Sequence, residues 1–240
     1  MTTYHGGKKR IGAEIAREIR NVADDIFEED GIKYEGYCEP FAGMCGVYQH
    51  IPELFEDYSS SFKYIAGDRN ESVIKMWNRA KRGWKPPTTC TKVHFMELRG
   101  NGRSSAEKGF IGHACGFRGK YFVTWKTHGQ NLDHQSQNVS RLAKGPLRNV
   151  KFTTCDYTQF SLLENHIIYC DPPYLSSSQY LNERNVRCRF DNDAFMEWTE
   201  NMTRQNNLVF MSERAPVPSA TQLLTMREGE KLYLVNDIYD

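Results

Sequence analysis

The sequence predicts an α/β chain, a Rossmann-like sheet with ligand-binding loops at its strand ends, interrupted by a basic insertion. Two observations predict that class. A strand, a polar turn and a helix follow one another twice in the first 82 residues, and the rhythm resumes near residue 150. Between them the charge changes sign: residues 75–151 hold 16 Lys or Arg against 3 Asp or Glu, residues 1–74 hold 8 against 14, and residues 152–240 hold 7 against 13. Residues 1–75 and 152–240 therefore read as one catalytic domain, with 76–151 as a mostly helical or irregular insertion.

Ile11, Ile15, Ile19, Val22 and Ile26 recur at three- and four-residue spacing, which predicts an amphipathic helix closed near Gly31. A strand over Tyr34 to Glu39 runs into Pro40-Phe41-Ala42-Gly43-Met44-Cys45-Gly46, and Val47 to Ile51 begins a helix. A second strand, Lys63 to Ala66, ends at Gly67-Asp68-Arg69-Asn70, followed by a helix from Glu71 to Arg82. From Gly83 the chain turns Gly-, Lys-, Arg- and Asn-rich, without sustained periodicity. Strands return at Val150 to Phe152, His166 to Cys170, Leu208 to Met211 and Lys231 to Val235.

Bulk properties exclude several classes. No run approaches the ~18 apolar residues needed to span a bilayer, and the N-terminus is polar, so the chain reads as cytoplasmic with no membrane partner. Seven scattered cysteines without a CxxC pair fit a reducing compartment and no zinc site. His94, His113, His128 and His134 lack metal-ligand spacing, and no metal is expected.

The strip Ile167-Ile168-Tyr169-Cys170-Asp171-Pro172-Pro173-Tyr174 carries the clearest chemistry. An apolar strand delivers a carboxylate at its end, and two prolines stiffen the loop that follows. The amine of a conjugated base is a poor nucleophile because its lone pair is delocalised. The Asp171 carboxylate and the Pro172 carbonyl could each accept one N–H and favour a pyramidal nitrogen, poised for an electrophilic methyl held near ~3 Å. Tyr174 would stack on the base, at roughly 1–3 kcal/mol. After the first strand, Gly43 and Gly46 would let backbone approach a ligand, but the loop departs from GxGxxG and carries no P-loop Lys-Ser/Thr. Asp68, at the end of the second strand, could accept from ribose hydroxyls.

In this order the pieces resemble the Dam-type family of DNA adenine-N6 methyltransferases, above all its phage- and virus-encoded members. The resemblance rests on Tyr4-His5-Gly6-Gly7-Lys8, Glu39 to Gly46, Asp68 to Asn70, Asp156-Tyr157, Asp171 to Tyr174 and Leu208 to Pro216. Gly116-Phe117-Arg118-Gly119-Lys120-Tyr121-Phe122 is similar to a target-recognition segment of the viral-type members. The resemblance implies the fold of S-adenosylmethionine-dependent methyltransferases, with Asp171, Pro172, Pro173 and Tyr174 catalytic. Tyr4, Gly6, Lys8, Glu39, Phe41, Gly43, Asp68, Asp156, Tyr157 and Asp171 would hold S-adenosyl-L-methionine. Lys8 would lie close to the catalytic strip, Phe41 and Gly43 would wrap the methionine end, and Asp156-Tyr157 would bracket the cofactor adenine. Arg214 stands where members commonly carry an aromatic, and Met44-Cys45 where small residues are usual.

Double-stranded DNA is the partner so implied, with the target base flipped out at a cost of a few kcal/mol. Arg118, Lys120, Tyr121 and Lys126 in the basic insertion are the expected DNA contacts. The resemblance leaves room for a cognate restriction endonuclease acting on the same site. Methylation of the cytosine amine is the nearest alternative, since the same strip serves any conjugated amine. An RNA or protein amide substrate fits the basic insertion less well. A DNA-binding module without activity would not need an intact Asp171 strip and Lys8.

Overall fold

A computed structural model describes residues 7–8, 10–125, 131–174, 180–181, 187–226 and 229–235. Helix α1 spans Gly12–Asp30, buries Ile15, Ala16, Ile19 and Ala23, and ends on the left-handed Gly31. The acidic stretch from Asp24 to Asp30 forms its last turns. Strand β1 (Gly36–Glu39) is buried throughout, and a short 3-10 turn leads into α2 (Ile51–Leu54). Strand β2 (Lys63–Asp68) is followed by α3 (Glu71–Lys81), where Asn70 caps the helix by accepting from the N–H groups of Ser72 and Val73.

Three helices fill the insertion: α4 (Lys92–Gly100), α5 (Ala106–Ala114) and α6 (Leu132–Lys144). The 75/76 boundary falls inside α3, and Val73 and Trp77 share one hydrophobic core with Phe95, Phe110, Ile111 and Val139 of the insertion. Gly109 makes this contact close: a Cβ there would lie 2.1 Å from the Ser72 carbonyl oxygen.

Strands β3 (Lys151–Thr154) and β4 (His166–Cys170) follow, then the short antiparallel pair β5 (Tyr180–Leu181) and β6 (Arg187–Cys188). Helix α7 (Asn192–Thr203) precedes β7 (Leu208–Glu213), β8 (Ala220–Thr225) and β9 (Lys231–Val235). The main sheet has the order β3-β2-β1-β4-β7-β9-β8. Its first five strands are parallel, and β9 runs antiparallel to both β7 and β8. This is the expected Rossmann-like α/β class, with an antiparallel edge the sequence reading did not foresee.

The order matters for what comes next. The chain winds outward from β1 to β3 on one side and from β4 to β8 on the other. The C-terminal ends of β1 and β4 thus flank the switch point, where open α/β sheets bind ligands.

Candidate active site

Register brings the carboxylates together. Cys38 of β1 lies opposite Ile168 of β4, so Glu39 and Asp171 both reach the C-terminal edge of adjacent strands. Lys8 arrives from the other direction. Its carbonyl accepts from the N–H groups of Ile11 and Gly12, which fixes it at the start of α1. Two glycines let that helix end dock on the loop after β1. A Cβ on Gly12 would come within 2.2 Å of the Gly46 oxygen, and one on Gly46 within 2.9 Å of the Lys8 nitrogen. Gly46 therefore makes room for Lys8; its expected role as an approach for ligand is corrected.

Lys8 Nζ lies 2.5 Å from Asp171 Oδ1, donates to the Tyr174 hydroxyl at 2.7 Å, and stands 2.8 Å from Glu230 Oε1. Its side chain is only 4% exposed. Burial alone would strip its proton, but Asp171 and Glu230 outweigh that cost and hold the ammonium above its ordinary range. Burial pushes the Asp171 carboxyl up, Lys8 pulls it back, and Glu230 adds to the rise. Glu39 is raised well above the carboxylate range by burial, against the hydrogen bond it accepts from the Tyr37 hydroxyl at 2.8 Å. The Tyr174 hydroxyl is likewise kept protonated, by burial and by the negative charge of Asp171 and Glu230. A buried ion cluster of this kind is poor evidence for stability, because desolvation consumes much of the attraction. It is better evidence for a site.

Beneath the strip, the Tyr169 hydroxyl and Ser212 Oγ lie 2.7 Å apart, joining β4 to β7 in the core. Glu213 is buried, and its Oε1 accepts from the backbone N–H groups of Arg214 and Ala215, capping a turn that leads to β8. The Arg214 guanidinium lies over the Tyr174 ring, 5.7 Å from its centroid.

Along the same edge, Asp68 Oδ2 accepts from Gly43 N–H at 2.9 Å and Oδ1 from Asn70 N–H at 2.7 Å. Gly43 has φ +47° and also passes its carbonyl to the Trp77 indole N–H at 2.9 Å. The loop is thus fixed between β2 and α3. Next to it the Phe41 ring stacks on Tyr157 with centroids 5.8 Å apart, and Phe195 and Trp198 of α7 meet Tyr157 edge-on. Asp156 caps the turn holding Tyr157 by accepting from Thr158 N–H, and pairs with Arg69 at 3.4 Å.

The sequence-derived residues thus form two clusters, Lys8-Glu39-Asp171-Tyr174 and Phe41-Gly43-Asp68-Asp156-Tyr157. Pro172 is buried and Pro173 half-buried. Tyr4, Gly6 and Lys126 lie outside the described residues. Arg118 and Lys120 are exposed on a short turn of the insertion. Tyr121, expected at the DNA surface, is buried against His113 and Phe122, so its ring supports that turn from within. Glu230 was missed. Its signal was Gly229-Glu230 before a last strand, which needed only an antiparallel assignment to bring a carboxylate to this edge.

Among the described residues, no group of three His, Cys, Asp or Glu could hold a metal ion, and no helix is long and apolar enough to cross a membrane. No family model and no curated protein matches the chain. Solved structures do. The rRNA methyltransferase aviRa from Streptomyces viridochromogenes is similar with a TM-score of 0.43 and 11% identity, over 94% of this chain and 84% of that one. The putative methyltransferase yhhF from Escherichia coli is similar with a TM-score of 0.35 and 10% identity, over 91% of this chain and 85% of that one.

Proposed function

We propose that this chain transfers a methyl group from S-adenosylmethionine to the exocyclic amine of adenine in double-stranded DNA. The observation that carries the reading is Asp171, delivered by β4 to the sheet's switch point and held between Lys8 and Tyr174.

The donor set supports this cofactor. Asp68 is fixed at the end of β2 by the Gly43 and Asn70 N–H groups, a carboxylate placed where ribose hydroxyls are held in such sheets. The Tyr157 ring, stacked on Phe41, suits an adenine face. When bound, S-adenosylmethionine supplies an electrophilic methyl on a sulfonium.

The chain's own residues do the rest. Asp171 and the Pro172 carbonyl accept the two amine hydrogens, so the nitrogen lone pair is freed from the ring and aimed at the methyl. As the N–C bond forms, the nitrogen gains positive charge, which the nearby carboxylate stabilises before it takes up the released proton. Tyr174 stacks on the base with Lys8 fixing its hydroxyl, so the ring cannot swing away. The exposed cations Arg118 and Lys120 grip phosphate.

The test is incubation of the protein with DNA and S-adenosylmethionine labelled in the methyl group, followed by nucleoside mass spectrometry. N6-methyladenine is expected. Label in N4-methylcytosine would keep the chemistry and overturn the base; no label in any nucleoside would overturn the reading.

A further inference from the structure

Strand β9 runs antiparallel to β7, with Lys231 opposite Glu213. Glu230 stands one residue before β9 and so reaches the C-terminal edge of the parallel strands from the side opposite Asp171. Its turn is closed by Met226, whose N–H donates to the Glu230 carbonyl at 2.7 Å. The carboxylate is 12% exposed and lies 2.8 Å from Lys8 Nζ, and its negative charge helps keep the Tyr174 hydroxyl protonated. Lys8 is thus shared between two carboxylates, with Asp171 the nearer at 2.5 Å.

That sharing bears on a conflict within the site. Asp171 must present an oxygen to the substrate amine, yet an ammonium rests on its Oδ1. A carboxylate drawn so closely to a cation is a weaker acceptor for a neutral N–H. Sending Lys8 into water would open the cavity, and leaving it in place would blunt the acceptor. A second carboxylate within reach removes the conflict, because the ammonium changes partner without leaving its low-dielectric surroundings.

We propose that Glu230 is a positioning residue for methyl transfer, the alternate anchor that takes Lys8 Nζ when Asp171 turns to the substrate amine. The inference rests on the function proposed above. Glu230 forms no covalent bond and passes no proton; it acts through Lys8 and Tyr174. Among the described residues, Asp171, Glu230 and the Tyr174 hydroxyl face Lys8 Nζ, and Glu39 is near enough to feel both Asp171 and Lys8.

Glu230→Gln keeps the shape but removes the charge, and Glu230→Asp keeps the charge on a shorter arm. The experiment measures single-turnover methyl transfer, DNA affinity and cofactor-product affinity for both variants, for Lys8→Met, and for Lys8→Met combined with Glu230→Gln. Glu230→Gln is expected to slow methyl transfer about 10- to 100-fold with both affinities within about twofold of wild type. Glu230→Asp recovers part of the rate. In the Lys8→Met background the Glu230 substitution adds less than about twofold, since the residue it acts through is gone. A readout free of chemistry accompanies these: in cofactor-free protein labelled at lysine Cε, the Lys8 titration midpoint should fall in Glu230→Gln.

A wild-type rate in Glu230→Gln beside an active wild type overturns this inference alone. So does an equal loss with and without Lys8, or an unmoved Lys8 midpoint. A wild-type protein that transfers no methyl group overturns the parent reading and this one with it.

Discussion

The two charged regions of this chain treat charge in opposite ways. At the sheet edge, Lys8 meets Asp171 and Glu230 at 2.5 and 2.8 Å, with the ammonium almost wholly buried. In the insertion, Arg118 and Lys120 are exposed, and the Arg118 guanidinium rests over Phe117, itself half-exposed. Burial is given there to His113, whose pKa it lowers, and to Lys108, whose ammonium donates to the Asn101 carbonyl. Low dielectric magnifies every change at the first region, whereas water and salt screen every change at the second. Single substitutions should therefore be severe at the edge, while exposed insertion residues should act weakly, cumulatively and in a salt-dependent way.

The largest expected effect breaks that comparison if it fails. Asp171→Ala should lower single-turnover methyl transfer by at least about 10³-fold, a loss of the size seen when one preorganised charge-stabilising group is removed. DNA affinity should stay within about twofold, because the exposed cations that grip phosphate are untouched. Asp171→Asn sharpens the point by keeping shape without charge. Near-normal turnover in either variant would remove the carboxylate from the chemistry.

The same contrast explains what was legible in the sequence. Strands β1, β4 and β7 read clearly because the parallel sheet buries both their faces, with an apolar run over 167–170, while β2, only partly buried, read by the polar turn after it. Each ends in a polar or acidic residue, so Glu39, Asp68 and Asp171 could be found before the fold was known. The insertion read poorly for a physical reason. Helix α5 is buried nearly all round, Lys108 and His113 included, so it shows no single apolar stripe. Its caps were readable nonetheless: Thr91, Ser105 and Asn131 each accept a backbone N–H at a helix start. Helix α7 was also readable, with Phe195, Trp198, Thr199 and Met202 at helical spacing behind Asp191, yet no element was assigned there. Glu230 depended on strand direction, which pattern alone does not give.

A middle-sized effect tests the buried side of the insertion. His113 is fully enclosed, with Nδ1 2.9 Å from the Gly119 carbonyl, and burial lowers its pKa to about 4. In the unfolded chain the imidazole titrates near ~6.5, so as pH falls the unfolded state takes the proton first. Stability is complete above about 6.5 and drains away toward about 4, which amounts to about 2 kcal/mol between pH 7.5 and 5. Urea unfolding at those two pH values should show the loss in wild type and a smaller one in His113→Gln. Equal slopes would mean the imidazole is not held neutral by the fold.

The smallest single-site effects should come from Arg118 and Lys120, and salt is the way to read them. Not all 16 cations of residues 75–151 are available to a polyanion. Lys75 binds Glu71 and Ser104, Lys81 donates to the Val150 carbonyl, and Lys108 is buried on the Asn101 carbonyl. The dependence of DNA affinity on salt should therefore be shallower than the count suggests. Each true phosphate contact contributes a slope of about 0.9 in log affinity against log salt. Arg118→Ala with Lys120→Ala should lower that slope by about 2 and weaken binding about tenfold near physiological salt, uniformly across sequences. Turnover of bound DNA should change little, since neither side chain approaches Asp171 or Lys8. A slope unchanged in the double variant would move the DNA path off this turn, and a selective loss for one sequence would make Arg118 a reader of base edges.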